Sequence, residues 1–232
     1  MQRQIEQKQK NADYGIFHIY NRGTEKRDIF LDMYDFKRFY DGIREFNTTI
    51  PVDLRERIRE KKKREGDTFA NSGLARGERL VDVLCFCLMP NHYHLILKPL
   101  IKNGVTVFMR KLATGYSSYF NRRYERSGRL FQNVFKNKEI DSDESFLYVS
   151  AYQHINPIAA KLAKKPSDWL WSSYKHFIGV RNDDILLGVE KILSVTSLEY
   201  KKYVEGLIDE NWFSNHKKNL LLETDDDYYL RR

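Results

Sequence analysis

"LVDVLCFCLMPNHYHLILKP", residues 80–99, decides the fold. Two apolar runs rich in β-branched and aromatic residues flank a Pro90-Asn91 turn, the pattern of two strands joined as a hairpin. Side chains two apart on a strand share a face. His92 and His94 therefore project together while Tyr93 takes the opposite side, and Cys85 and Cys87 share a face of the preceding strand. Paired imidazoles on a rigid apolar strand are half of a metal site. Alone, such a pair is more often two satisfied structural histidines. Cysteines at this spacing rarely meet disulfide geometry, so both are expected as small buried thiols in a reducing compartment.

Outward from the hairpin, "YGIFHIYNRG" (14–23) predicts a first strand from about Tyr14 to Tyr20. In "LDMYDFKRFYDGIREFN" (31–47), Asp32 is the expected N-cap, and Leu31, Met33, Phe36, Phe39, Tyr40, Ile43 and Phe46 recur at helical spacing. Residues 103–128 predict a second helix, capped at Thr106 and ending near Gly128. "RLFQNVFKNKEI" (129–140) reads as a fourth strand. Residues 141–160 read as a third helix with an acidic start, halted by Pro157, which disfavours helical geometry at Asn156.

The order β-α-β-β-α-β-α predicts an α+β fold: a ferredoxin-like split βαβ antiparallel sheet, helices packed on one face, plus a C-terminal helical extension. The expected organisation is a flexible N-terminus (1–13), a main domain (14–180) with a charged insertion at about 51–80, a helical extension (181–222) and a disordered tail (223–232). "DWLWSSYKHFIG" (168–179) reads as aromatic packing.

Charge is concentrated. Residues 101–140 hold nine Lys or Arg against Glu125 and Glu139, which is seven of the formal net charge of +8. Tyr116, Tyr119, Phe120, Tyr124, Phe131 and Phe135 interleave with these cations, a composition suited to phosphates and bases. The N-terminus lacks the apolar core of a signal peptide and no run approaches a membrane-spanning length, so a cytoplasmic protein without a membrane partner is expected.

"AYQHINP" (151–157) supplies a second half for the histidine pair. Tyr152 and Asn156 are four apart and so share a helix face. Asn156 offers an amide oxygen to a hard cation, and Tyr152 a phenol that can act as a nucleophile. Core packing for Tyr152 and a helix stop for Asn156 are the plain alternatives. His154, two residues on from Tyr152, should face elsewhere.

"MPNHYHLIL" (89–97) resembles the HUH motif (His, bulky hydrophobic, His) of the single-tyrosine HUH transposases, the REP-associated tyrosine transposases above all. The resemblance continues through "YNRGTEKRDIF" (20–30), "YFNRRYERSGRLFQNVFKNKEI" (119–140), "YVSAYQHINPIAAKL" (148–162) and "DWLWSSYKHFIG", and so spans roughly residues 14–180. It implies an insertion-sequence transposase and nuclease domain in which His92, His94 and Asn156 hold Mg²⁺ or Mn²⁺. Tyr152 is then the nucleophile, attacking single-stranded or hairpin DNA to give a 5′-phosphotyrosine link that can be rejoined. Tyr116 and Tyr119 are rival nucleophiles, but Phe120 and Arg123 stand where the amide would be needed. Tyr20, Arg22, Arg122, Arg123, Arg126, Phe131, Lys136 and Lys138 are the expected DNA contacts. Relatives occur as monomers and homodimers. The alternatives are a domesticated hairpin-DNA-binding protein that no longer cuts, and an HUH replication-initiator or relaxase-like nickase. A phosphoesterase for small molecules is disfavoured by the cationic window.

Overall fold

β1 (Ile16–Arg22), β2 (Val81–Met89), β3 (His92–Pro99) and β4 (Lys136–Ile140) form one sheet in the order β2-β3-β1-β4, with every ladder antiparallel. This computed structural model describes residues 15–51, 77–189 and 193–208. Its helices are α1 (Met33–Phe46), α2 (Gly104–Arg123), α3 (Asp143–Ala159), the short α4 (Tyr174–Phe177) and α5 (Ser197–Gly206). The order β1-α1-β2-β3-α2-β4-α3 is the one expected, and the strand order is that of a ferredoxin-like sheet. Most of the expected insertion, the flexible N-terminus and the disordered tail lie outside the described residues. No helix among the described residues is long and apolar enough to cross a membrane.

Each element forms for a local reason. Asp32 caps α1, its side chain accepting from the backbone N–H groups of Tyr34 and Asp35. Ser142 does the same for α3 by accepting from Ser145. Three expectations shift. α2 begins at Gly104 behind Asn103, whose φ of 58° is a left-handed geometry that Asn tolerates, so Thr106 lies inside the first turn rather than capping it. α2 also ends earlier, at Arg123, and β4 starts only at Lys136. α3 runs through Pro157 to Ala159: the ring removes one N–H, but the last turn still closes, with Ala160 N–H donating to the Asn156 carbonyl at 3.0 Å.

The pleat sorts the two faces. Tyr93, Leu95 and Leu97 of β3 point towards α1 and α2, which form the expected helical layer; Tyr93 packs on Phe39 and Phe86 on Tyr40, with ring centroids 5.0 and 5.6 Å apart. His92, His94 and Ile96 point the other way, together with Cys85 and Cys87 of β2. A second layer covers that face: α3 lies over it, placing His154 Nε2 3.5 Å from Cys85 Sγ. Cys85 and Cys87 are buried free thiols, as their spacing suggested. Burial raises the Cys85 thiol to about 12 and also holds Cys87 well above its usual value, so neither is a thiolate.

The aromatic stretch after α3 closes one side of the sheet. Trp171 stacks on Phe36 at 5.2 Å, and its carbonyl accepts from Leu88 N–H at 2.8 Å. Ser173 N–H donates to the Phe86 carbonyl at 3.0 Å, so residues 171–173 run along the outer edge of β2.

α1 and α2 approach closely at two glycines. Gly42 lies where a Cβ would stand 3.0 Å from Leu112 Cδ1, and a Cβ on Gly115 would collide with the buried Phe46 ring. Gly115→Ala is therefore expected to destabilise the fold by about 1–3 kcal/mol through overpacking, although Ala is the better helix former. A urea midpoint at or above wild type would show that the helices separate without cost.

Candidate active site

The ladder places His18, Tyr20 and Arg22 of β1 opposite Ile96, His94 and His92 of β3. Lys138 and Lys136 of β4 stand opposite His18 and Tyr20 on the other side. Residues directly opposite share a face, so these side chains and the two histidines belong to one surface. His92 and His94 lie with ring centroids 5.0 Å apart and planes nearly perpendicular.

Each ring is held by its Nδ1. His92 Nδ1 donates to Asn91 Oδ1 at 2.6 Å, and His94 Nδ1 is 3.0 Å from His18 Nε2. His94 Nε2 faces α3, where the Asn156 amide nitrogen lies 3.5 Å away. His92 Nε2 and Asn156 Oδ1 are buried and have no hydrogen-bond partner among the described residues. Leaving such atoms unpaired costs about 1–3 kcal/mol each, so a bound group that paired them would be stabilised here.

Electrostatics keeps the donors neutral. Burial lowers His94 to about 3. His92 is held well below its usual value by burial first, then by His94 and Arg22. Neutral imidazoles offer lone pairs, the form a metal requires. Among the described residues no three His, Cys, Asp or Glu side chains gather as a metal cluster, so the available donor set is two imidazoles completed by an amide. The two unpaired atoms fit a hard or borderline cation.

Tyr152 lies one turn before Asn156 on α3, only 2% exposed, with its ring 6.4 Å from that of Tyr148. The rival tyrosines belong to the other side of the sheet. Tyr116 is buried among Phe30, Phe39 and Phe131, and its hydroxyl donates to the Ile29 carbonyl. Tyr119 donates to Asp35 at 3.1 Å and accepts from Arg123 at 2.7 Å. His154 faces away from the histidine pair, as expected. It bonds through Nδ1 to Tyr200 Oη at 2.7 Å and through Nε2 to Ser173 Oγ at 2.8 Å, and burial lowers it to about 3.

The expected DNA contacts divide. Tyr20, Arg22, Lys136 and Lys138 share the histidine face, whereas Arg122, Arg123, Arg126 and Phe131 do not. Phe131 is a core residue packed edge-on to Tyr93 at 5.7 Å, so it is no exposed stacking surface. Arg123 bridges Asp32 and the fully buried Asp35 at 2.6 and 2.8 Å. Arg126 donates to Asn121 and lies over the Phe120 ring. Arg122 lines a groove of about 750 Å³ on the α1–α2 side, with Arg38, Arg110 and Lys111. Sequence reasoning missed three residues: His18, Asn91 and Gln153, the last fully buried on α3 with both amide atoms unpartnered among the described residues. A signal for His18 existed, since "HIYNR" alternates His18, Tyr20 and Arg22 on one face.

Residues 74–156 match the family described as transposase, IS200-like. That segment is similar to the IS200-like transposases over about a third of the chain. It holds both histidines, the tyrosine and, as its last residue, Asn156. No curated protein matches the chain. The fold is similar to a solved structure of a REP-associated tyrosine transposase bound to a REP hairpin, with a TM-score of 0.50 and 13% identity, covering 75% of this chain and 92% of that one. At that identity the likeness is one of fold.

Two expectations follow from these environments. His154 is depressed in the folded chain, so the unfolded chain binds its proton first as pH falls through about 6.5. The stabilisation is complete above that pH and is lost progressively towards about 3. Between pH 7 and 5 His154 should contribute about 2 kcal/mol of lost stability, and His154→Gln should flatten the pH dependence of the urea midpoint. An unchanged slope would mean that His154 titrates alike in the folded and the unfolded chain. Arg123→Gln should lower the thermal midpoint, because Asp35 is left buried without its cation, while DNA affinity in a filter-binding assay stays near wild type. A selective loss of affinity would return Arg123 to the DNA interface.

Proposed function

We propose that this chain cleaves and rejoins single-stranded DNA, hairpin DNA in particular, with Tyr152 as nucleophile and His92, His94 and Asn156 as ligands of Mg²⁺ or Mn²⁺. One observation carries the reading. Both histidines are anchored through Nδ1, His94 Nε2 faces the Asn156 amide, and in this buried setting His92 Nε2 and Asn156 Oδ1 lack partners among the described residues. The IS200-like match over the segment holding these residues supports a transposase role, and the solved structure with a similar fold is bound to hairpin DNA.

The residues divide the work. Lys136, Lys138 and Arg22 draw the phosphate backbone to the histidine face, and Tyr20 offers a ring beside it. Held by His92, His94 and Asn156, a divalent cation would supply Lewis-acid chemistry to the phosphate. Tyr152 Oη attacks phosphorus, a P–O bond to tyrosine forms, and the P–O3′ bond breaks. The phenol gives up its proton and the departing 3′ oxygen gains one, leaving a 5′-phosphotyrosine and a 3′-OH. A second 3′-OH reverses the step and rejoins DNA, because the phosphodiester bond energy is kept in the covalent link. Asn156, on the same helix one turn away, fixes the tyrosine relative to the ligand set.

The near-complete burial of Tyr152 favours a second reading: a protein that holds hairpin DNA without cutting it. The two separate on a denaturing gel. With Mn²⁺ and single-stranded hairpin DNA, wild type should give a covalent protein–DNA band, while Tyr152→Phe gives none and keeps its DNA affinity. His92→Ala should reduce the rate by at least about 10²-fold. Binding without any covalent band under these conditions would favour the second reading.

A further inference from the structure

His18 is a buried polar side chain in direct contact with the histidine pair to which that chemistry assigns no task. We infer that His18 is a positioning residue that fixes the tautomer of His94. The inference rests on the metal-binding reading of His92, His94 and Asn156.

The geometry is specific. His18 lies diagonally across the β1–β3 ladder from His94, its Nε2 3.0 Å from His94 Nδ1, with the two rings 21° from parallel. Both side chains are buried, 2% and 0% exposed, so water does not compete for the bond. A neutral imidazole carries one N–H and one lone pair. If His94 carries its proton on Nδ1, it donates to His18 Nε2 and keeps a lone pair on Nε2, the atom that faces Asn156. If the proton sat on Nε2, no lone pair would face the site. With the His18 proton on its own Nδ1, His18 Nε2 is an acceptor and selects the first arrangement.

Asn91 performs the same task for His92. Its amide oxygen only accepts, so His92 Nδ1 must donate and His92 Nε2 must be the lone pair. The two ligand histidines thus have matching supports from different elements: a turn amide for one, a strand imidazole for the other. Outer supports of this kind orient metal-bound histidines, and their loss typically weakens metal affinity 10–100-fold. Tyr20 holds the His18 ring in turn, at a centroid distance of 5.1 Å. His18 is not itself a ligand here, since it does not join His92 and His94 as a three-histidine cluster.

The test uses the full chain and two readouts that do not depend on cleavage. Mn²⁺ affinity is measured by calorimetry for wild type, His18→Leu, His18→Gln and His92→Ala, and the ring-nitrogen NMR shifts of His94 are recorded without metal. Metal-free wild type should show His94 protonated at Nδ1, and His18→Leu should show mixed tautomers. His18→Leu should bind Mn²⁺ about 10–100-fold more weakly, His18→Gln, which keeps an acceptor, should recover most of the loss, and His92→Ala should abolish binding. Wild-type affinity in His18→Leu, beside loss in His92→Ala, would overturn the inference and leave the metal reading standing. No Mn²⁺ binding by wild type would overturn both. Should His18→Leu fail to fold, the wild-type tautomer decides: His94 protonated at Nε2 overturns the inference.

Discussion

The register of β3 between β1 and β2 is the constraint on which everything else depends. Side chains alternate with a period of two, so a slip of one residue would carry His92 and His94 into the layer under α1 and α2 and turn Tyr93 out. Several contacts hold the register at once. Tyr93, Leu95 and Leu97 are all fully buried on the α1–α2 side, and Tyr93 is gripped between Phe39 and Phe131. On the other side the His18–His94 bond spans the same ladder. An irregularity in β2 between Val83 and Cys85 absorbs one residue, so that Cys85 and Cys87 come to the histidine face while Phe86 stays under α1.

The helix bearing Tyr152 and Asn156 is located by a polar network rather than by apolar packing alone. His154 reaches Ser173 and Tyr200, Tyr200 donates to Ser150 at 3.1 Å, and Ser173 lies 3.3 Å from Cys85. Each such bond contributes only about 0.5–1.5 kcal/mol net, but all are buried and directional, and breaking one strands its partner. α5 thereby participates in placing α3, though it lies far from the histidine pair in sequence. The described part of the C-terminal region is integral to the core: Tyr200 and Val204 are fully buried.

Legibility in the sequence followed interaction range. The hairpin, the Asp32 cap and the shared face of His92 and His94 depend on neighbours within a few residues, and each was readable. The pairing of Tyr152 with Asn156 needed only helical spacing. The approach of Asn156 to His94 depended on which face α3 covers, and no local pattern states that. The same blindness assigned Arg123 and Phe131 to DNA. Their window is cationic and aromatic in sequence, but the fold turns Arg123 onto Asp32 and Asp35 and buries Phe131 against Tyr93. His18 escaped notice because its partner is 76 residues away and becomes a neighbour only through the β1–β3 register. Pro157 misled because proline is costly mid-helix, yet it stands here where the helix is about to end.

The strip formed by residues 171–173 along β2 leaves the sheet asymmetric at its borders. Backbone groups of Phe86 and Leu88 are taken up by Ser173 and Trp171, and the Val83 carbonyl accepts from Leu187 N–H, so no further strand can add there. Among the described residues, growth of the sheet is open only beside β4, which is five residues long and carries Lys136 and Lys138. Short, lysine-bearing borders resist pairing with another chain. The cations expected to meet DNA therefore also act as gatekeepers against self-association, and replacing them with apolar residues would endanger solubility as well as recognition.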